Sequence, residues 1–189
     1  LLELGAVAPD LRTEVLDLFR WSLSDPAKTV RQQAVIATGT AARCWPVCTP
    51  TAVERLLVHL RTHETDATTT ASELAALTAV FPDADKPLLT QIKTWTDGGM
   101  ASTTTAGVCF QTVAVDRPDA VHPYCEWLVT RLGESSDGAK LAGSLRSVAE
   151  STPEAVTPYT DELRAVLEDG HLSSVGWART AAVVGLVEH

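Results

Sequence analysis

The sharpest chemical pattern in this chain is carried by Cys44, Cys48, His59 and His63, spaced C-x3-C-x10-H-x3-H. Two thiolates and two imidazoles at such intervals are the raw material of a tetrahedral structural zinc site. Helical geometry argues against that site. Cys48 stands two residues before Pro50, at the start of a helical pattern. At about 1.5 Å per residue, His59 lies roughly 13 Å and His63 roughly 20 Å further along that helix. Cys44 ends the preceding antiparallel helix and so shares the Cys48 end. A zinc ion holds its ligand atoms at about 2.0–2.3 Å. The expectation is therefore no metal and no cofactor, with the cysteines as mostly buried free thiols and the histidines as surface imidazoles.

Other reactive groups are equally sparse. Cys109 lies in Gly107-Val108-Cys109-Phe110 and reads as core. Cys125 follows Pro123-Tyr124 at a helix start, where a thiol pKa falls, with His122 close by; this is the one nucleophile–base arrangement on offer. Gly98-Gly99 reads as a turn, with no phosphate-loop pattern around it. Asp83 and Asp85, and Asp161 and Glu162, fall in loops and first turns, where carboxylates favour the helix dipole over acid–base work. No catalytic residue is predicted. Among the five tryptophans, Trp95 and Trp127 sit at apolar spacing and read as core. Trp21 ends a helix, Trp45 lies in a Pro-flanked loop, and Trp177 stands near Arg179 as a hot-spot type of anchor or an inter-repeat packing residue.

The elements that position these groups repeat with a period of about 36 residues. Prolines opening helical patterns occur at Pro9, Pro50, Pro87, Pro123 and Pro158, at intervals of 41, 37, 36 and 35. Alanines deep in the following pattern occur at Ala34, Ala71, Ala106, Ala142 and Ala178, at intervals of 37, 35, 36 and 36. Local text recurs too: Thr68-Thr69-Thr70-Ala71 as Thr103-Thr104-Thr105-Ala106, and Pro118 to Tyr124 as Pro153 to Tyr159. Such a period marks stacked repeats. Each unit reads as two helices, the proline fitting the first turn, where its missing N–H costs nothing. First helices are expected over 10–22, 51–62, 88–96, 124–133 and 159–168. Second helices are expected over 28–43, 67–80, 100–115, 139–150 and 174–188. Val30, Ala34, Ala37 and Ala41 make a narrow small-residue face, and Asp or Ser in the polar breaks can cap the second helices. Threonine runs lower the helix propensity of the second helices in units two and three. No segment alternates with the period of two that a half-buried strand needs.

Composition bounds the partners. The 189 residues are 45% hydrophobic and carry 24 acidic against 15 basic side chains, a net charge of −9. That balance disfavours nucleic acid and anionic membranes, which attract basic faces. The longest apolar run, Ala181 to Val187, is far short of the ~20 residues that span a bilayer. Leu1-Leu2-Glu3-Leu4 carries no basic leader, and the thiols suit a reducing compartment, so a cytoplasmic location is expected. Eleven arginines against four lysines, with 24 threonines, resemble the usage of salt-adapted microbes, although a GC-rich genome has a similar effect.

Asp25-Pro26-Ala27-Lys28-Thr29-Val30-Arg31-Gln32-Gln33-Ala34 resembles the HEAT-repeat signature, an Asp, often Pro next, then Val-Arg and Ala opening the second helix. The other units depart from it, with Thr68, Thr103, Ala139 and Val175 at the Arg31 position. The resemblance implies an all-α fold, a right-handed α-solenoid of about five antiparallel helix pairs. The units fall near 1–43, 44–80, 81–115, 116–150 and 151–189, together one repeat domain. Leu1 to Gly5 reads as the end of a second helix, which suggests a segment of a longer array. The resemblance further implies that Asp25 and Arg31 form a stabilising pair, and that second helices line a concave protein-binding or peptide-binding groove. Its outward residues are Arg31, Gln32, Gln33, Glu73, Thr104, Gln111, Arg146, Trp177 and Arg179. The reading is a non-catalytic binding scaffold. The alternative is an enzyme or accessory subunit on the same solenoid, similar to the HEAT-like DNA glycosylases or chromophore lyases.

Overall fold

A computed structural model describes residues 11–136 and 138–188. Leu1 to Gly5, Pro9, Asp10, Asp137 and His189, which enter the repeat reading, lie outside the described residues. The described part is helical, with no strand. Among the described residues, ten helices of nine or more residues run as α1 (Arg12–Leu23), α2 (Lys28–Cys44), α3 (Thr49–Thr62), α4 (Ala67–Thr78), α5 (Asp85–Asp97), α6 (Thr103–Asp116), α7 (Cys125–Gly133), α8 (Ala139–Ser151), α9 (Thr160–Asp169) and α10 (Ser174–Val187), with a single helical turn at Pro118–Val121 between α6 and α7. Their ends fall within three residues of those expected from periodicity. Pro50 sits in the first turn of α3, and Pro123 and Pro158 lie in 3-10 turns leading into α7 and α9. Each ring thus fixes φ where no helical N–H is lost.

The chain divides into two compact units, Leu1–Leu88 and Leu89–His189. In the first, α1 packs on α2, α3 on α4, and α2 against both α3 and α4. Short connections make consecutive helices antiparallel neighbours. Leu56, Leu60, Leu74 and Leu77 are fully buried there, and Val15, Leu16, Phe19, Ala41, Trp45 and Cys48 form a cluster at one end. In the second unit, α8 lies between α6 and α10, while α7 packs on α8 and α9. Its core holds Phe110, Leu128, Leu132, Leu141 and Leu145.

Three local expectations are corrected. The buried face of α2 runs through Ala34, Val35, Thr38, Ala41 and Ala42, and Val30 stands 40% exposed at its edge. Arg31 also lies on the buried side of the helix. Asp25 and Asp66 do not cap their helices with side chains. The Asp25 carboxylate accepts from the Ala27 N–H one turn early (2.8 Å), and Asp66 is engaged elsewhere. Capping falls to Ser102, which accepts from the Thr105 N–H, and Ser173, which accepts from the Gly176 N–H. Finally, Ala34, Ala71, Ala106 and Ala142 are buried but Ala178 is exposed.

The threonines that weaken helix propensity are tolerated because their hydroxyls stay inside the helix ladder. Thr38 and Thr70 are buried and donate to the carbonyls of Ala34 (2.7 Å) and Asp66 (3.0 Å), four residues back. Buried Thr180 does the same to Gly176 (2.9 Å). A β-branched hydroxyl that bonds its own helix can be buried without an orphaned polar group.

Candidate functional site

Arg31 was expected both to pair with Asp25 and to face a partner. It is buried, and its Nε donates to the Asp66 carboxylate at 2.6 Å. Its Nη1 donates to the main-chain carbonyls of Asp25 (2.9 Å) and Pro26 (3.0 Å), and Nη2 to Thr65 Oγ1 (3.3 Å). Asp25 and Arg31 are therefore joined through the main chain, and the carboxylate partner comes from 35 residues on. A guanidinium this committed stitches α2 to the start of α4 and is closed to a ligand.

The remaining second-helix candidates divide between exposed and engaged. Gln33, Thr104, Arg146 and Trp177 are exposed, Trp177 by 49%, and Gln32 is half-buried. Arg146 donates to Glu150 along its own helix (2.7 Å). Glu73 accepts from Arg43 (2.9 Å) and lies over Gly39, where a Cβ would strike its carboxylate. Gln111 and Arg179 converge on Gly143, 2.5 and 3.2 Å from where a Cβ would stand. Arg179 also donates to the Ala139 carbonyl (2.9 Å). These long side chains cross glycine backbones on neighbouring helices, so Glu73, Gln111 and Arg179 serve helix packing.

The cysteine–histidine pattern is dispersed. Cys44 is exposed, while Cys48, Cys109 and Cys125 are buried, all free thiols. Among the described residues, no group of three or more His, Cys, Asp or Glu is placed to hold a metal ion. His59 is not a surface imidazole. It is 3% exposed, stacks on His63 with ring centroids 4.4 Å apart, and points Nε2 at the Asp66 carboxylate, 3.4 Å away. Burial, then the neighbouring His63, lowers its pKa below the ordinary 6.5, and Asp66 pulls the other way. Cys125 departs from the expectation of a helix-start thiol: burial pushes its pKa up to about 11, and burial raises that of Cys109 further. Neither is poised as a thiolate.

In the second unit the densest polar cluster surrounds Trp127. Its indole N–H donates to Asp97 (2.7 Å), which also accepts from Arg131 (2.6 Å) and Lys93 (2.7 Å). Desolvation alone would raise the Asp97 carboxyl, but these hydrogen bonds outweigh it and hold the pKa well below the usual range. Trp127 is half-buried, packed on Phe110 with centroids 5.1 Å apart, so it joins helices instead of greeting a ligand.

A hollow of about 390 Å³ takes in Val30, Gln33 and Ala37 of α2, and further open surface lies where the sequence did not point. A cavity of about 530 Å³ runs along α3, and its other wall is the end of α1. Arg20, Arg55, His59 and His63 supply its nitrogen groups, and Leu23 and Val58 its apolar surface. A second hollow of about 480 Å³, lined by Asp17, Arg20, Trp21 and Ser24, shares Arg20 and Ser24 with it. Trp21 is 79% exposed, and Leu18 and Val58 are half-exposed. Arg55 donates Nη2 to Asp17 (2.6 Å), while its Nη1 is shielded and has no acceptor among the described residues. One signal was available beforehand: Arg20-Trp21 falls off the apolar face of Val15, Leu16, Phe19 and Leu23. The chain matches no protein-family model, no curated protein and no solved structure.

Proposed function

We propose that the chain is a HEAT-like α-solenoid that works as a non-catalytic protein-binding scaffold. The repeat reading is supported by side-chain ties that recur at about one period. They join Arg31 to Asp66 (35 residues apart), Arg55 to Asp17 (38), Thr90 to Tyr124 (34) and Arg131 to Asp97 (34). These ties join α1 to α3, α2 to the start of α4, and α5 to α7 and the turn before it, the kind of neighbour contact on which a one-dimensional stack rests. The right-handed five-unit superhelix is the form this stacking takes in our reading. No described helix is long and apolar enough to cross a membrane. The net charge of −9 favours a protein partner over nucleic acid, and four free thiols suit the cytoplasm.

The observation that carries the binding role is the exposure of two tryptophans, Trp21 by 79% and Trp177 by 49%, each near an arginine in sequence. Trp and Arg dominate interface energetics because they bring large area and a fixed donor fork. The test is affinity capture from the native host at native salt, with the wild type, Trp21→Ser and Trp177→Ser. A partner retained by the wild type and lost from one variant of unchanged melting temperature supports the scaffold. Identical recovery by all three, or turnover of a substrate by the purified chain, overturns it.

A further inference from the structure

We infer that the cavity between α1 and α3 binds a short extended peptide through one acidic side chain flanked by an apolar one. This rests on the protein-binding reading and places the site on first helices, away from the second-helix surface. The shape comes first. The α3 residues lining the cavity run from Thr51 to Thr62, one face of a helix over roughly 16 Å at about 1.5 Å per residue. An extended chain rises about 3.3 Å per residue, so the groove takes about five residues. A free inorganic anion would occupy a small fraction of it.

The charge comes second. Arg20 is exposed and holds no carboxylate among the described residues. Arg55 has one terminal nitrogen on Asp17 and the other, Nη1, without an acceptor. Arg55 is held by Asp17 and its Nη1 is shielded from solvent, so Arg20, exposed and without a carboxylate among the described residues, offers its fork to a single carboxylate. Glu54, exposed on the same wall, and Asp17 at the adjoining hollow supply the opposing negative charge. They disfavour a run of acidic residues and select for one. The apolar flank follows from Leu23 and Val58 in the cavity and from the exposed Trp21 in the adjoining hollow.

Random hexapeptides, capped at both ends and displayed on beads, are panned against the wild type in moderate salt. The expected winners carry one Asp or Glu next to an aromatic or aliphatic residue. A winner resynthesised with a fluorophore is titrated by polarisation. Arg20→Gln, Trp21→Ala, and Glu→Gln in the peptide each weaken it by roughly tenfold, the size of one charge-assisted contact or buried anchor. Both Arg20 and Trp21 are exposed, so their replacement leaves the fold intact, checked by the melting temperature. No enrichment, enrichment of basic or neutral peptides, or affinity unchanged in Arg20→Gln overturns the inference. So does succinate or inorganic phosphate competing at concentrations near the peptide's own Kd, which would mark a small-oxyanion site. A winner lost on Trp177→Ser but not on Arg20→Gln overturns this placement and leaves the scaffold standing.

Discussion

Replacing Asp66 with alanine should destabilise the first unit by about 3 kcal/mol. The Asp66 side chain is fully buried and that of Arg31 is 11% exposed, so solvent screens the pair little. Removing one partner of a buried pair costs about 3–5 kcal/mol, because the other charge is left uncompensated. Arg31 keeps main-chain acceptors at Asp25 (2.9 Å) and Pro26 (3.0 Å), which sets the loss at the lower end. Asp66 makes no side-chain cap bond, so no capping loss is added. With a urea m-value of about 2 kcal/mol per M, the midpoint falls by about 1.5 M. The double variant Arg31→Met with Asp66→Leu removes both charges and should fall less than the single one. Unfolding is followed by circular dichroism, and hydrogen exchange in α2 and α4 assigns the loss to the first unit. A midpoint drop under about 0.5 M for the single variant, or a larger drop for the double, would refute the account of Arg31 as a stitched, inaccessible charge.

Three further outcomes follow from the same geometry. His59 has a folded pKa below its unfolded 6.5, so the stability of its neutral form is complete above about pH 6.5 and declines as pH falls toward the folded value. Unfolding midpoints between pH 7.5 and 5 should show this slope in the wild type and a weaker one in His59→Gln. Gly107→Ala should cost about 1–3 kcal/mol, since its Cβ would stand 2.7 Å from Lys140 Cβ. Gly185→Ala, with nothing within 4 Å, should stabilise α10 by about 0.5–1 kcal/mol; equal effects in thermal melts would contradict the packing. In the native state a thiol reagent should titrate Cys44 quickly and reach Cys48, Cys109 and Cys125 only on unfolding. Rapid modification of Cys125 would contradict its burial and raised pKa.

The helices were legible because their signals are local. Proline at helix starts, apolar spacing of 3.6 and an alanine every 36 residues belong to single segments, and all ten helices appear within three residues of their expected ends. The burial of the cysteines was legible for three of four, since apolar neighbours in sequence go inside together. What chemistry faces solvent was not legible in the same way. Arg31 reads as an outward residue on a helical wheel, yet a carboxylate 35 residues away draws it in. His59 reads as surface, yet Asp66 and His63 make a buried place for it. Glu73, Gln111 and Arg179 read as groove residues, yet glycines on adjacent helices leave room for them to lie across.

The amino-acid order by itself determined, to within three residues, where the helices begin and end, and the period at which their proline and alanine markers recur. These depend on dihedral preferences and spacing within a dozen residues. Only the tertiary structure decided which charges are spent on packing and which remain open to solvent. Pairing energy depends on distance and on exclusion of water, and for Arg31 both are set by a residue 35 positions away. That is why Arg20 and Trp21 stay open beside α3 while Arg31, Glu73, Gln111 and Arg179, which spacing singled out as outward, lie against the protein's own backbone and side chains.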